Sequence, residues 1–253
     1  AMVFETGANR WRRFDSWPPK EATRHSLVLR EKGTLVMDEF YPAEGLRDEF
    51  VSDPAKPVPY TMENTVRWQK TFMTEDQRFA AWRPDVLVYL SKPLTEDLTI
   101  AGAMNANLWV STTRDAADWV VKLVDVQPGK PPGASMPKDN WRGEPDPRSG
   151  AQLLVRGEVI RGRFRNSYEH PEPFERDVVT EVSFELLDVL HTFKRGHRVG
   201  VHVQSTWFPY VDRNPQTYVD NIFEAKAQDF KKATHRVHRS DRYKSRIDIQ
   251  VIE

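Results

Sequence analysis

The chain contains no cysteine. That excludes disulfides, thiol nucleophiles and cysteine-ligated zinc, while leaving the compartment open. No stretch approaches the ~20 apolar residues of a membrane-spanning helix, and the first residues lack the basic and apolar blocks of a secretory signal. Charge of one sign is also missing: Lys+Arg and Asp+Glu each total 37, a formal net charge of zero. Neither nucleic acid nor a membrane is therefore expected as a partner on global electrostatic grounds. Helical periodicity is scarce. Its best candidate, AKAQDFKKATHRV (225–237), is short and polar. Glycine (12) is outnumbered by proline (18), which suits many short elements joined by rigid turns.

The chain is rich in aromatics, with 8 Trp, 7 Tyr and 13 Phe among 253 residues, enough for a large packed core. Strand signals dominate. Val3 and Phe4 begin a strand almost at once, as expected of one domain of something larger; Ala1 is set aside. HSLVLREKGTLVM (25–37) reads as a hairpin turning at Glu31-Lys32-Gly33. Further strands are expected in 84–91, 98–113, 117–128, 151–164, 178–190, 197–206 and 245–253. Within 117–128, Val120 has opposite parity to Trp119, Val121 and Leu123. There is no fixed-period repeat and no sign of a split, so 1–253 is expected to be a single domain. The pattern predicts an all-β sandwich or jelly roll with long ordered loops and little helix. Two connections are long. Residues 38–82 carry five aromatics (Tyr60, Trp68, Phe72, Phe79, Trp82) and are expected to be ordered; 128–150 is Pro- and Gly-rich and is expected to be an exposed excursion.

Catalytic chemistry is hard to find. A Gly-x-Ser-x-Gly elbow needs a strand-to-helix turn, and its nearest match, PGASMP, lies in the Pro-rich connection. His191, His197 and His202 invite a metal, but strand parity sets His202 opposite His197, so the three are not expected to converge. His235 and His238, among Lys231, Lys232, Arg236 and Arg239, read as a solvated basic face. Asp115 and Asp118 precede a strand and could offer oxygens to calcium, although turn and capping roles for lone aspartates are commoner. No metal or cofactor is expected.

The residues in these places resemble a known family. VFETGANRWRRFDSWPP (3–19), FVSDPAKPVPY (50–60), DQRFAAWRPDVLVYLSKPLTEDLTIAG (76–102) and ADWVVKLVDVQP (117–128) look like the C-terminal part of α-amino-acid ester hydrolases. VRGEVIRGRFRNSYEHPEPF (155–174), HTFKRGHRVGVHVQSTWFPYVDRNPQT (191–217) and DFKKATHRVHRS (229–240) continue it, in order. These enzymes belong with glutaryl-7-ACA acylases, cocaine esterase and X-Pro dipeptidyl-peptidases. The resemblance implies a C-terminal jelly roll of galactose-binding-like topology, joined in the family to an N-terminal α/β-hydrolase domain. The catalytic triad and the acidic cluster for the substrate's α-ammonium group lie in the segment before it. Nothing here matches those motifs, so the chain alone is expected to be inactive. One departure stands out: before Asp118-Trp119 the family usually carries a glycine and another acid, where this chain has Arg114, Asp115 and Ala116. That weakens the case for calcium.

The resemblance gives the stretch STWFPYVDRNPQTYV (205–219) a role, as a loop that packs on the hydrolase domain and helps wall its substrate cleft. Trp207, Phe208 and Tyr210 would supply apolar area, about 150–250 Å² each if buried. Asp212 is expected to pair with Arg213, with the guanidinium fork and the Asn214 amide satisfying backbone groups; residues 66–80, with Trp68, Phe72 and Asp76, form a second stretch of the same wall. For the charged trio, merely plugging one end of the sandwich is an equally good reading. The partner is thus the hydrolase domain of a parent protein, periplasmic or secreted in some settings, and an uncovered docking face would favour homo-oligomers. The alternative is a free-standing carbohydrate-binding module using exposed tryptophans.

Overall fold

The computed structural model describes residues 1–39, 46–63, 65, 67, 69–129 and 149–253. Trp68, Trp141 and nearly all of the 128–150 excursion lie outside these residues.

The first strands, β1 (Met2–Glu5) and β2 (Arg10–Arg13), form a separate antiparallel pair. The expected hairpin follows as β3 (Thr23–Arg30) and β4 (Thr34–Met37). Its turn works because Lys32 and Gly33 both take positive φ, at 57° and 66°. A Cβ on Gly33 would come within 2.6 Å of the Val88 carbonyl oxygen, so only glycine lets the turn sit this close. The remaining strands are β5 (Arg47–Ser52), β6 (Val86–Leu90), β7 (Leu98–Thr112), β8 (Asp118–Val126), β9 (Gln152–Arg161), β10 (Thr180–Phe193), β11 (Arg198–Gln204), β12 (Ala233–His238) and β13 (Arg246–Ile252).

Hydrogen bonding runs continuously in the order β5-β12-β7-β13-β3-β4-β6-β11-β8-β9, with β10 on the other side of β7. The path folds over on itself. Ile100, Leu108, Phe184 and Ile247 from the β10–β7–β13–β3 half meet Tyr89, Trp119, Leu123 and Val201 from the β6–β11–β8–β9 half in one core. This is the two-layer jelly roll the sequence predicts. Only one single-turn α-helix, Arg78–Ala81, occurs among the described residues.

Two expectations need correction. The helical candidate at 225–237 is instead a 3₁₀ turn (Ala227–Asp229) followed by strand β12. Ala233, His235 and Val237 alternate inward there, and β12 gains backbone partners on both sides, from β7 and β5. Consequently His235 and His238 are buried rather than solvated, with burial pushing the His235 imidazole down to about 3. All nine residues of β8 are buried, so the parity read from its sequence separates two covered faces.

Candidate interdomain surface

The outer face of β8 is covered by loops. Val120 points away from the core into a second apolar cluster with Tyr60, Phe72 and Trp207. Two loops bring these rings together and are stitched to each other: Phe208 N–H donates to Val58 O and Tyr60 N–H to Phe208 O, both at 2.9 Å. Thr206 Oγ1 accepts from the Val58 amide at 2.8 Å. Trp207 meets Phe72 edge-on (5.9 Å, 81°) and Tyr210 edge-on (4.8 Å, 71°), the geometry favoured by ring quadrupoles. Its six-membered ring lies over Gly157 of β9, where a Cβ would come within 2.9 Å of Trp207 Cη2. Trp207 is therefore 3% exposed, and Phe72 and Asn214 are buried with it.

Beneath the aromatic layer lies Lys122, a residue that sequence reasoning did not single out. It is fully buried. Nζ donates to Gln77 Oε1 at 3.1 Å and stands 4.9 Å from the Trp207 ring centre, a cation–π position. No carboxylate pairs with it among the described residues, and burial lowers its pKa to about 7. His202, its cross-strand neighbour on β11, is held neutral by burial and by Lys122, with a pKa of about 3.

The charged trio departs from expectation in one pairing, while Arg213 and Asn214 do bond backbone groups. Asp212 faces Arg161 (3.5 Å) rather than Arg213. Arg213 turns the other way, donating to Pro54 O at 2.9 Å with its guanidinium over the Phe208 and Phe230 rings. Asn214 Nδ2 donates to Asp118 Oδ1 (2.7 Å) while its Oδ1 accepts the Gln216 amide (2.7 Å). Burial pushes the Asp118 carboxyl up to about 6, although Arg161 and Asn214 pull against it. Asp76 pairs with Arg78 and accepts the Gln152 amide at 3.1 Å, anchoring its loop to β9. What remains open to solvent is Phe208 (37% exposed), Tyr210 (43%) and Met62 (64%). Phe208, Pro209, Met62 and Pro59 line a shallow groove of ≈330 Å³. The groove presents apolar area on a base held by the loop hydrogen bonds.

Residues 2–248 match the model of the X-Pro dipeptidyl-peptidase C-terminal non-catalytic domain. The chain belongs to this family. An aminopeptidase from the marine sediment archaeon Thaumarchaeota archaeon superposes on all of the chain with a TM-score of 0.89 and 42% identity, the match covering 40% of that protein. An α-amino acid ester hydrolase superposes equally well, at 0.89 and 40% identity over 99% of this chain and 41% of its own. Cocaine esterase from Rhodococcus sp. (strain MB1 Bresler) is 26% identical over 99% of the chain and 41% of its own length. The chain thus spans about two-fifths of the length of the relatives it matches. It is a non-catalytic, C-terminal β-sandwich domain of this hydrolase family.

Within this X-Pro dipeptidyl-peptidase C-terminal domain the other singled-out residues have structural partners. The three histidines do not meet at one point, but two of them share a carboxylate: Nε2 of His191 lies 3.3 Å from Asp125 Oδ2 and Nδ1 of His197 2.8 Å from Asp125 Oδ1. They approach from β10 and from the turn entering β11, so parity along one strand did not govern them. His202 stands apart, bonded to Gln152 Oε1 at 2.9 Å. Asp115 accepts from Arg176 and from the Tyr218 amide, both at 2.8 Å, so both aspartates of the suggested calcium turn have protein partners. No metal-ligating cluster of three side chains occurs among the described residues.

Proposed function

We propose that this domain docks on the α/β-hydrolase domain of its parent protein through the Phe208–Tyr210 face and helps wall the substrate cleft. The observation that carries this reading is the match of nearly the whole chain to a non-catalytic domain, against relatives of which it spans only about two-fifths. The buried layer of Trp207, Phe72 and Asn214 serves as the rigid base, and Phe208, Tyr210 and Met62 serve as the contact. Loop aromatics at a domain boundary commonly make such contacts. The parent is then a serine hydrolase acting on acyl esters or amides, with its acyl-serine chemistry outside this chain.

The test has two arms. The pure 253-residue chain should not turn over an α-amino-acid ester such as phenylglycine methyl ester; turnover abolished by a serine-directed inhibitor would overturn the assignment. Supplied in trans, the parent's hydrolase domain should bind the chain, and Phe208→Ala with Tyr210→Ala should weaken that binding at least about tenfold. Unchanged affinity would move the docking face elsewhere. The sugar-platform alternative has less support. Trp11 and Trp82 are the well-exposed tryptophans among those described, on β2 and after the helical turn respectively, while Trp119 and Trp207 are buried.

A further inference from the structure

The opposite outer face of the sandwich, formed by β10, β7, β13 and β3, carries a different kind of surface. Residues of the first loop cover one end, where Phe14 and Trp17 pack on Ala101, Leu190 and Ile252. Trp109 against Tyr243 closes the other end (5.3 Å). Between them lies a furrow of ≈770 Å³.

Its floor follows from the strand register. Ser26 stands opposite Asp248, Asp248 opposite Asn105, and Asn105 opposite Glu185, one straight polar row across four strands. The next row sets Arg246 opposite Asn107 and Asn107 opposite Ser183. The two rows are bonded into a lattice. Asp248 accepts from Ser26 Oγ (2.7 Å), Asn107 Nδ2 (2.7 Å) and Arg246 Nε (2.9 Å). Asn105 Nδ2 donates to Asn107 Oδ1 (2.9 Å) and to Ser183 Oγ (2.8 Å). These bonds fix each side chain while leaving hydrogen-bonding capacity unused. Among the described residues, Arg24, Glu185 and Gln250 make no side-chain hydrogen bond, and Asn105 Oδ1 accepts none.

The furrow continues past Glu185. A second hollow of ≈400 Å³ shares that residue and ends at Tyr168. Tyr168 is 81% exposed and its ring stacks on Phe164 (5.9 Å, 27°).

We propose that this furrow binds an uncharged oligosaccharide. The chemistry selects that class among polar ligands. The cations lining the larger furrow, Arg24, Lys244 and Arg246, are matched in number by Asp38, Glu185 and Asp248, so a phosphate or sulfate meets no net positive field there. Polar and charged side chains predominate in the lining of the larger furrow, whereas an extended peptide or a lipid tail would call for apolar pockets. A sugar hydroxyl both donates and accepts, which fits a floor where guanidinium, amide and carboxylate groups alternate at fixed positions. The Tyr168 ring gives the C–H face of a terminal sugar something flat to lie on. This site lies on the other outer face from Phe208 and Tyr210 and does not depend on the docking reading.

The test is a titration of the ¹⁵N-labelled 253-residue chain with maltohexaose, cellohexaose, xylohexaose and a β-1,4-galacto-oligosaccharide, each to millimolar concentration, followed by two-dimensional NMR. The expected result is a saturable shift of the Asn105 and Gln250 side-chain amide signals by at least one of these sugars. Tyr168→Ala, an exposed position that leaves the lattice intact, should then weaken binding by about tenfold or more, and Asn105→Ala likewise. If none of the sugars moves those signals, the proposal is wrong. It is equally wrong if the shifts cluster on the Phe208 face, or if neither variant alters the affinity.

Discussion

Replacing Lys122 by methionine should change how stability depends on pH more clearly than it changes stability itself. Lys122 titrates at about 7 in the folded chain, against 10.5 for an ordinary lysine. Between those values the unfolded chain holds a proton that the native state lacks, so native stability rises as pH rises through that window. The slope is about 1.4 kcal/mol per pH unit at its steepest, and about 4–5 kcal/mol accumulates across the window. Below pH ~7 the ammonium is charged in both states and contributes no further slope. Methionine fills the same volume with a flexible apolar chain and cannot titrate. It also strands Gln77 Oε1, at a pH-independent cost of about 1–3 kcal/mol. The diagnostic quantity is therefore the difference in unfolding free energy between wild type and Lys122→Met, measured by urea denaturation at intervals from pH 7.5 to 9.5 as working conditions of about this range allow. Groups common to both proteins cancel in this difference. His202 stays neutral throughout, its pKa near 3. The wild type should gain on the variant by about 1 kcal/mol per pH unit. Parallel profiles would mean that Lys122 is not desolvated as described, and the aromatic layer above it would have to be open to water.

Two substitutions probe the same layer from its other sides. Gly157→Val should destabilise by about 1–3 kcal/mol in chemical denaturation, because its Cβ and methyls displace the Trp207 ring, and the near-ultraviolet circular dichroism of the aromatic cluster should change with it. Asn214→Ala removes the amide donor to buried Asp118 and the acceptor for the Gln216 amide; a loss of about 2–3 kcal/mol in denaturant unfolding is expected, and a loss below ~0.5 kcal/mol would mean that water replaces both bonds.

The fold was legible wherever alternation coincided with apolar residues. β3, β7 and β11 announce themselves through Leu27 and Leu29, through Ile100 to Val110, and through Val199, Val201 and Val203, whose inward faces form the core. The strands that escaped notice carry charge. β12 reads ATHRVH, and its inward row includes a histidine that only burial keeps neutral. β5 reads RDEFVS, with Phe50 as its large core side chain. Such strands owe their conformation to partners supplied by β7 and by each other, which are far away in sequence. The meeting of His191, Asp125 and His197 was hidden for the same reason, since three separate segments supply it.

The candidate surface was half legible, and the division has a physical cause. Trp207 follows a strand directly and sits in a loop, which looks like exposure. Yet β8 beneath it turns Val120 and Lys122 outward, and a strand with apolar or desolvated residues on both faces requires a cover. Parity revealed the second face; the sequence carries no local mark of which loop supplies the lid. The nearest hint is Gly157, the one position on the central stretch of β9 without a side chain, since a flat ring can lie close to a sheet only where a Cβ is missing. Once Trp207 and Phe72 are assigned to the lid, the next aromatics along the same loop have no sheet left to cover. Phe208 and Tyr210 turn outward because the inner positions are filled, and the bonds from Thr206 and Asn214 hold the loop so that they stay there. A surface held this firmly loses little side-chain and loop entropy when a partner lands on it. That makes these two rings, rather than the more conspicuous tryptophan, the place where docking affinity should be lost on mutation.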